Sequence, residues 1–187
     1  MQRKSPSKLL TALLIGLLAT TCANAQSRHR REQQPREVER PAPAAPVDKR
    51  DTVVTTPGPF AGKPYWLALA QCGGIYFKLN TLYTDIAVRA RALKPDPKAN
   101  TEYTKKLNDA IRTATVYFSG AEHFLMGDRG IERIDAVLIY DEQSRAAGDR
   151  IKTIDAGLNA TKSCPVLYQA CQESNSKACS DPLPPVS

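Results

Sequence analysis

The chain has 187 residues, and its 26 lysines and arginines outnumber 19 acidic residues. This length suits one domain with a modest hydrophobic core. A formal net charge of +7 would favour nucleic acid or another anionic partner. Three of the bases, however, lie in a leader that we expect to be removed, which leaves 23 bases against 19 acids, a net charge of about +4. We therefore expect no nucleic-acid partner.

The first 25 residues have the pattern of a cleavable signal peptide. Basic residues come first, Leu9 to Ala19 is apolar, and Ala23-Asn24-Ala25 is a peptidase site that predicts cleavage before Gln26. The apolar run is well short of the roughly 20 residues that cross a membrane. We predict a periplasmic or secreted protein without a transmembrane anchor. The alternatives are a retained anchor and a lipoprotein acylated at Cys22, which lacks the usual preceding residues.

Residues 26–62 have the composition of a disordered linker. Arginines alternate with glutamates as far as Arg40, and proline-rich stretches follow at 41–46 and 57–59. Such a segment buries too little apolar surface to offset the entropy lost on ordering. We predict a flexible tether. The alternative is an arginine arm that binds anionic lipid, surface polysaccharide or nucleic acid.

Residues 63–179 are predicted to form an all-α domain, a small up-and-down helical bundle, and residues 180–187 a flexible tail. The first helix should run from Pro64 to Lys94, with the Gly73-Gly74 pair marking a kink or a close helix crossing. Its apolar face follows helical spacing and comprises Cys72, Ile75, Leu79, Leu82 and Ile86.

Two further helices are predicted after the first. Asn100 or Thr101 can cap the second, and Gly127 can stop it. Its apolar face comprises Leu107, Ile111, Ala114, Phe118, Ala121 and Leu125. The third should begin at Asp128, and its apolar face comprises Ile131, Ile134, Val137, Leu138 and Tyr140.

The segment around Gly148 leaves the number of helices open. Apolar spacing continues across this glycine, which would suit three long helices. If Gly148 instead ends the third helix and Asp149 caps a fourth, the chain returns and brings Cys164 to the same end as Cys72, at a rise of about 1.5 Å per residue. We favour four helices, followed by a short amphipathic turn or two through Cys171.

Four cysteines remain once the leader is removed, an even number that predicts two disulfides in an oxidising compartment. Cys164 and Cys171 lie seven residues apart, about 10 Å along a helix, beyond the roughly 7 Å that a disulfide spans. Of the remaining connectivities we favour Cys72–Cys164 with Cys171–Cys179, and Cys72–Cys171 with Cys164–Cys179 is the alternative. The long spacings argue against a zinc site.

The sequence contains no recognisable catalytic or cofactor motif. There is no glycine-rich phosphate loop, no Gly-x-Ser-x-Gly and no Cys-x-x-Cys-His haem attachment site. His123 lies off the apolar face of its helix, and we identify no partner for it. We therefore predict that the protein is not an enzyme and holds no cofactor or metal.

Tyrosine spacing is the one unusual feature. Tyr76 and Tyr83 are seven residues apart, and Tyr117 follows Tyr103 at twice that spacing, so each pair lies on one side of its helix. Tyr76, Tyr83 and Tyr117 could edge an apolar pocket that binds a small molecule. The favoured function remains a non-enzymatic interaction or structural module of the bacterial cell envelope, whose partner is a protein or an envelope component. The sequence gives no indication of an oligomeric state.

Overall fold

A computed structural model describes residues 48–93, 96–175 and 177–184. The predicted signal peptide and the first part of the predicted tether lie outside these residues. The described residues form five helices: α1 (Tyr65–Leu93), α2 (Pro97–Arg129), α3 (Arg133–Asp149), α4 (Ile154–Thr161) and α5 (Cys164–Ser174). The all-α bundle is confirmed, and so is the break after α3 that distinguishes four helices from three long ones. The fifth helix is the segment predicted as a short amphipathic turn.

The directions of the helices follow from which residues meet. Tyr65 near the start of α1 stacks on Phe124 near the end of α2, with ring centroids 5.0 Å apart. Farther along α1, the Asn80 side-chain amide donates to the carbonyl of Leu107, which is earlier in α2. The two helices are therefore antiparallel, as an up-and-down bundle requires.

The chain reverses between α3 and α4, as the four-helix prediction requires. The Thr153 hydroxyl caps α4 by accepting a hydrogen bond from the amide of Ala156, so the cap lies four residues beyond the predicted Asp149. Gly157 in α4 then lies against Leu79, and Cys164 at the start of α5 is bonded to Cys72. After the reversal, successive residues of the chain therefore contact positions closer and closer to the start of α1.

Glycines bring α1 and α3 unusually close. A Cβ built on Gly74 would lie 2.0 Å from the carbonyl oxygen of Ser144, and one built on Gly148 would lie 2.9 Å from the carbonyl oxygen of Gly74. Neither position has room for a side chain. Gly73 makes a similar approach to the ring of Phe118 in α2. The Gly73-Gly74 pair therefore marks a close helix crossing, one of the two predicted alternatives.

Two predicted helix ends are displaced by better caps. The Asp96 carboxylate accepts from the amides of Lys98 and Ala99, so α2 begins at Pro97 instead of after Asn100 or Thr101. At the other end, α2 passes through Gly127 and ends at Gly130, whose φ of 66° is the left-handed conformation that favours glycine. The third helix consequently begins at Arg133 and not at Asp128.

The apolar face predicted for the third helix is partly wrong. Ile134 and Leu138 are 72% and 65% exposed. The face of α3 that is buried carries small and polar residues, namely Ala136, Gln143, Ser144, Ala147 and Gly148. The close approach to Gly74 excludes large side chains from that face, so the large apolar residues lie outside it.

The fold also begins before the predicted boundary at residue 63. Residues 48–63 form an ordered strap over one end of the bundle, where the amide of Val54 donates to the carbonyl of Lys63 and Val54 itself is only 3% exposed. Near the last described residues of the chain, Leu183 packs against the core although it belongs to the predicted flexible tail. The packed unit therefore includes both segments.

Both disulfides have the favoured connectivity. Cys72 is bonded to Cys164 with their Cα atoms 5.8 Å apart, and Cys171 is bonded to Cys179 with a Cα separation of 5.9 Å. Two disulfides are typical of proteins that mature outside the reducing cytosol. Across the described helices, none combines the length and apolar character needed to cross a membrane.

Candidate functional site

A cleft lies where the predicted tyrosine pocket was expected. Tyr76 and Tyr83 line it from α1, and Ala110 lines it from α2. Its volume is about 120 Å³, close to that of a cavity that holds one benzene ring. The cleft is open to solvent on one side, where Leu158 is half-exposed. It could receive a single ring or a short apolar segment, but not a large planar cofactor.

Tyr117 does not line this cleft as predicted, because it lies behind Tyr76 in the core. Its ring stacks on that of Tyr76 at 5.6 Å and meets the edge of Tyr168 at 5.4 Å. The side chain is fully buried, and its hydroxyl finds no hydrogen-bond partner among the described residues. Burial raises the pKa of Tyr117, and its two tyrosine neighbours raise it further.

The chain's own tail completes the cleft. Leu183 and Pro184 line it together with Pro165 at the start of α5. The Tyr168 hydroxyl donates a 2.8 Å hydrogen bond to the carbonyl of Asp181, and burial raises the pKa of Tyr168 to about 12. This contribution of the tail was not predicted from the sequence, although the dense prolines at 182–185 were a usable signal.

A second and larger depression lies between α1 and α3, on the outer surface of the bundle. Its volume is about 350 Å³, within the range of ligand-sized depressions. Phe77 and Phe118 both line it, and Phe77 has 51% of its surface exposed. Its lining contains the positively charged Lys78 and Arg145 and the negatively charged Asp141 and Asp149. We call this depression the Phe77 groove, and sequence patterning did not reveal it because Phe77 lies off the apolar face of its helix.

A buried ion pair fastens the strap to the bundle. Arg129 donates from Nε and Nη2 to the two carboxylate oxygens of Asp51 at 2.8 and 2.7 Å, and its guanidinium lies 4.9 Å above the Trp66 ring. Burial opposes ionisation of Asp51, but the hydrogen bonds from Arg129 and from the Asp48 amide together hold its pKa below the usual value. Both carboxylate oxygens of Asp51 are used in holding the strap, which marks the pair as structural.

The described residues bring no catalytic set together. No cluster of three or more histidine, cysteine or acidic side chains within residues 48–93, 96–175 and 177–184 could hold a metal ion. His123 is exposed on α2, and its neighbour Glu122 is paired with Arg133 at 2.8 Å. All four cysteines of this part of the chain are in disulfides.

Comparisons of the chain with protein families, with curated proteins and with solved structures give no match. The geometry of the molecule is therefore the basis for its functional assignment.

Proposed function

We propose that this protein is an exported, non-enzymatic interaction module of the bacterial cell envelope, and that it binds a partner protein through the Phe77 groove. The observation that carries the proposal is the exposure of Phe77 beside a depression of about 350 Å³. An aromatic residue in such a position is typical of the anchors that dominate protein interfaces. Export is supported by the predicted leader and by the two disulfides.

The lining of the groove suggests how a partner would bind. An apolar side chain of the partner can pack between Phe77 and Phe118, since both rings are accessible from the groove. Around them lie charges of both signs, including the ion pair of Arg145 with Asp141. Mixed charges at the rim favour register and specificity over raw affinity. The partner chemistry that fits is a peptide segment with an apolar anchor flanked by charged residues.

A matched pair of variants tests the groove. Phe77→Ala should abolish enrichment of the partner when the mature protein is used to capture binding proteins from its own cell envelope. Val166→Ala, a comparably exposed apolar position on α5, should leave the enrichment unchanged. Both variants should keep wild-type thermal stability, because partly exposed side chains contribute little to folding. Equal enrichment by wild type and Phe77→Ala would contradict the groove as the binding surface.

Export is tested separately by the mass of the mature protein. Cleavage before Gln26 predicts a chain of residues 26–187, and a diacylglycerol group on Cys22 would show the lipoprotein alternative instead. The measured mass tests only where the protein is located, so it is independent of the binding test of the Phe77 groove.

A further inference from the structure

The tail that borders the tyrosine cleft is built from residues that prefer an extended backbone. Residues 181–185 read Asp-Pro-Leu-Pro-Pro. Each proline fixes its own φ near −65° and moves the preceding residue towards the extended or polyproline II region. Residues 180–184 form neither helix nor strand. The local sequence therefore favours the polyproline II conformation before any contact is made.

The surface that this tail meets carries aromatic rings and a hydroxyl donor. Tyr76 and Tyr83 share the cleft with Leu183 and Pro184 of the tail. The Tyr168 hydroxyl donates to the backbone carbonyl of Asp181 at 2.8 Å, directly before the first proline of the tail. Leu183 also packs against the core at this surface. An aromatic-lined surface with a side-chain donor on a peptide carbonyl resembles the grooves that bind proline-rich peptides.

A covalent tether keeps the tail close to this surface. The Cys171–Cys179 disulfide attaches the chain, two residues before Asp181, to α5, which also contains Tyr168. A short connection of this kind gives a tethered segment an effective concentration of about 1 mM. The tail can therefore stay on this surface even if its intrinsic affinity is weak.

We infer that the aromatic surface beside the tyrosine cleft, on which the tail lies, is a recognition site for proline-rich peptide segments, and that the tail of the chain covers it in cis as an autoinhibitory contact. A proline-rich segment of another protein then binds by displacing the tail. This inference is independent of the Phe77 groove, which lies on another surface of α1 and has its own variants.

Peptide binding to a shortened chain tests the inference. The variant ends at Ser180, so it keeps both disulfides and loses the tail. The peptide is a fluorescein-labelled copy of residues 180–187, and the control peptide has its three prolines replaced by alanine. The shortened chain should bind the proline peptide and not the control in fluorescence anisotropy. The full chain should bind about tenfold more weakly, the effect of about 1 mM of competing tail on a peptide with a Kd of about 0.1 mM.

Two substitutions in the shortened chain locate the binding site. Tyr168→Phe removes only the hydroxyl donor, so affinity should fall about fivefold, as expected for one hydrogen bond. Phe77→Ala alters the other depression and should leave the affinity unchanged. Circular dichroism should show the same helix content for all of these chains.

A full-length variant keeps the test decisive if the shortened chain does not fold. Pro182→Ala with Pro184→Ala weakens the tail as a ligand and leaves every helix intact, so the labelled peptide should bind severalfold more tightly than it binds to wild type. The inference is overturned if a folded shortened chain binds the two peptides equally. It is also overturned if neither loss nor weakening of the tail improves binding of the proline peptide.

Discussion

Replacing Gly74 by alanine should destabilise the protein more than any other glycine-to-alanine change in the described helices. The added Cβ would lie 2.0 Å from the carbonyl oxygen of Ser144 and 2.7 Å from its Cα. Ordinary contact begins near 3.4 Å, so α1 and α3 would have to separate by about 1 Å or more at this point. Because the obstacle is backbone, no change of rotamer relieves it. We expect a loss of about 3 kcal/mol, at the upper end of overpacking effects, despite the better helix propensity of alanine.

Two other glycines provide matched controls for this experiment. At Gly73 the added Cβ would lie 2.4 Å from the ring of Phe118, which lines the Phe77 groove. Because a side chain can shift more easily than backbone, Gly73→Ala should cost less than Gly74→Ala. Gly127 lies in α2 with no atom within 4 Å of the added Cβ, so Gly127→Ala should stabilise by about 1 kcal/mol. Urea unfolding monitored by circular dichroism gives all three values. If Gly74→Ala unfolds at the wild-type urea concentration, the close crossing is not as described.

Three further predictions concern the ion pair, the buried tyrosines and the disulfides. Asp51→Asn should cost about 3 kcal/mol at pH 7, because it removes the carboxylate charge from a buried ion pair with Arg129. The pKa of Asp51 is lowered in the fold, so this difference from wild type should be complete above about pH 4 and shrink as the pH falls below it. Burial holds the pKa of Tyr168 at about 12, whereas an unfolded tyrosine ionises near pH 10, so Tyr168 by itself should lower the free energy of unfolding by up to about 1.4 kcal/mol per pH unit between these values. Tyr117, whose pKa is also raised, adds to this fall, so in urea unfolding Tyr168→Phe should reduce the slope without abolishing it. Replacing the Cys72–Cys164 bridge by alanines should lower the free energy of unfolding by about 4.6 kcal/mol, because the bridge closes a loop with a sequence separation of 92. The same change at Cys171–Cys179, with a separation of 8, should lower it by about 2.5 kcal/mol. Equal losses of stability in thermal unfolding would contradict this account.

The helix count and the disulfides could be predicted because each restricts the other. Helical rise places Cys164 beyond reach of Cys72 unless the chain reverses after Gly148, and this reversal is what the structure contains. Apolar spacing alone continued through the break and favoured one long helix. The covalent constraint therefore decided a question that the local pattern left open.

The strap could not be predicted, because its stability comes from residues far away in the chain. Locally, residues 48–62 contain the turn-forming run Pro57-Gly58-Pro59 and few large apolar side chains, as a linker does. Their order depends on Asp51 meeting Arg129 across 78 positions of sequence, and on Thr52 donating to the carboxylate of Asp128. The composition of a segment indicates how much apolar surface it can bury by itself. It does not indicate whether a charged residue far away in the sequence will stabilise the segment.

The error at Ile134 and Leu138 has a different physical cause. Periodicity identifies the face with the largest apolar side chains, and it assumes that this face is the buried one. Where two helices cross with backbone in contact, the buried face must instead be small, as Ser144 and Gly148 show. The large residues of α3 then remain on its exposed side. A glycine pair in the neighbouring helix was the available sign of such a crossing.

The same crossing also accounts for the Phe77 groove. Gly74 and Gly148 both line the groove and carry no side chain that could fill it. A substitution at Gly74 would therefore disturb the packing of α1 on α3 and the shape of the groove together, and a loss of partner binding in that variant could not be assigned to either. Phe77→Ala separates the two effects, because it removes the exposed ring and leaves the backbone contact intact. Loss of binding by Phe77→Ala at unchanged stability would thus assign the function to the groove itself.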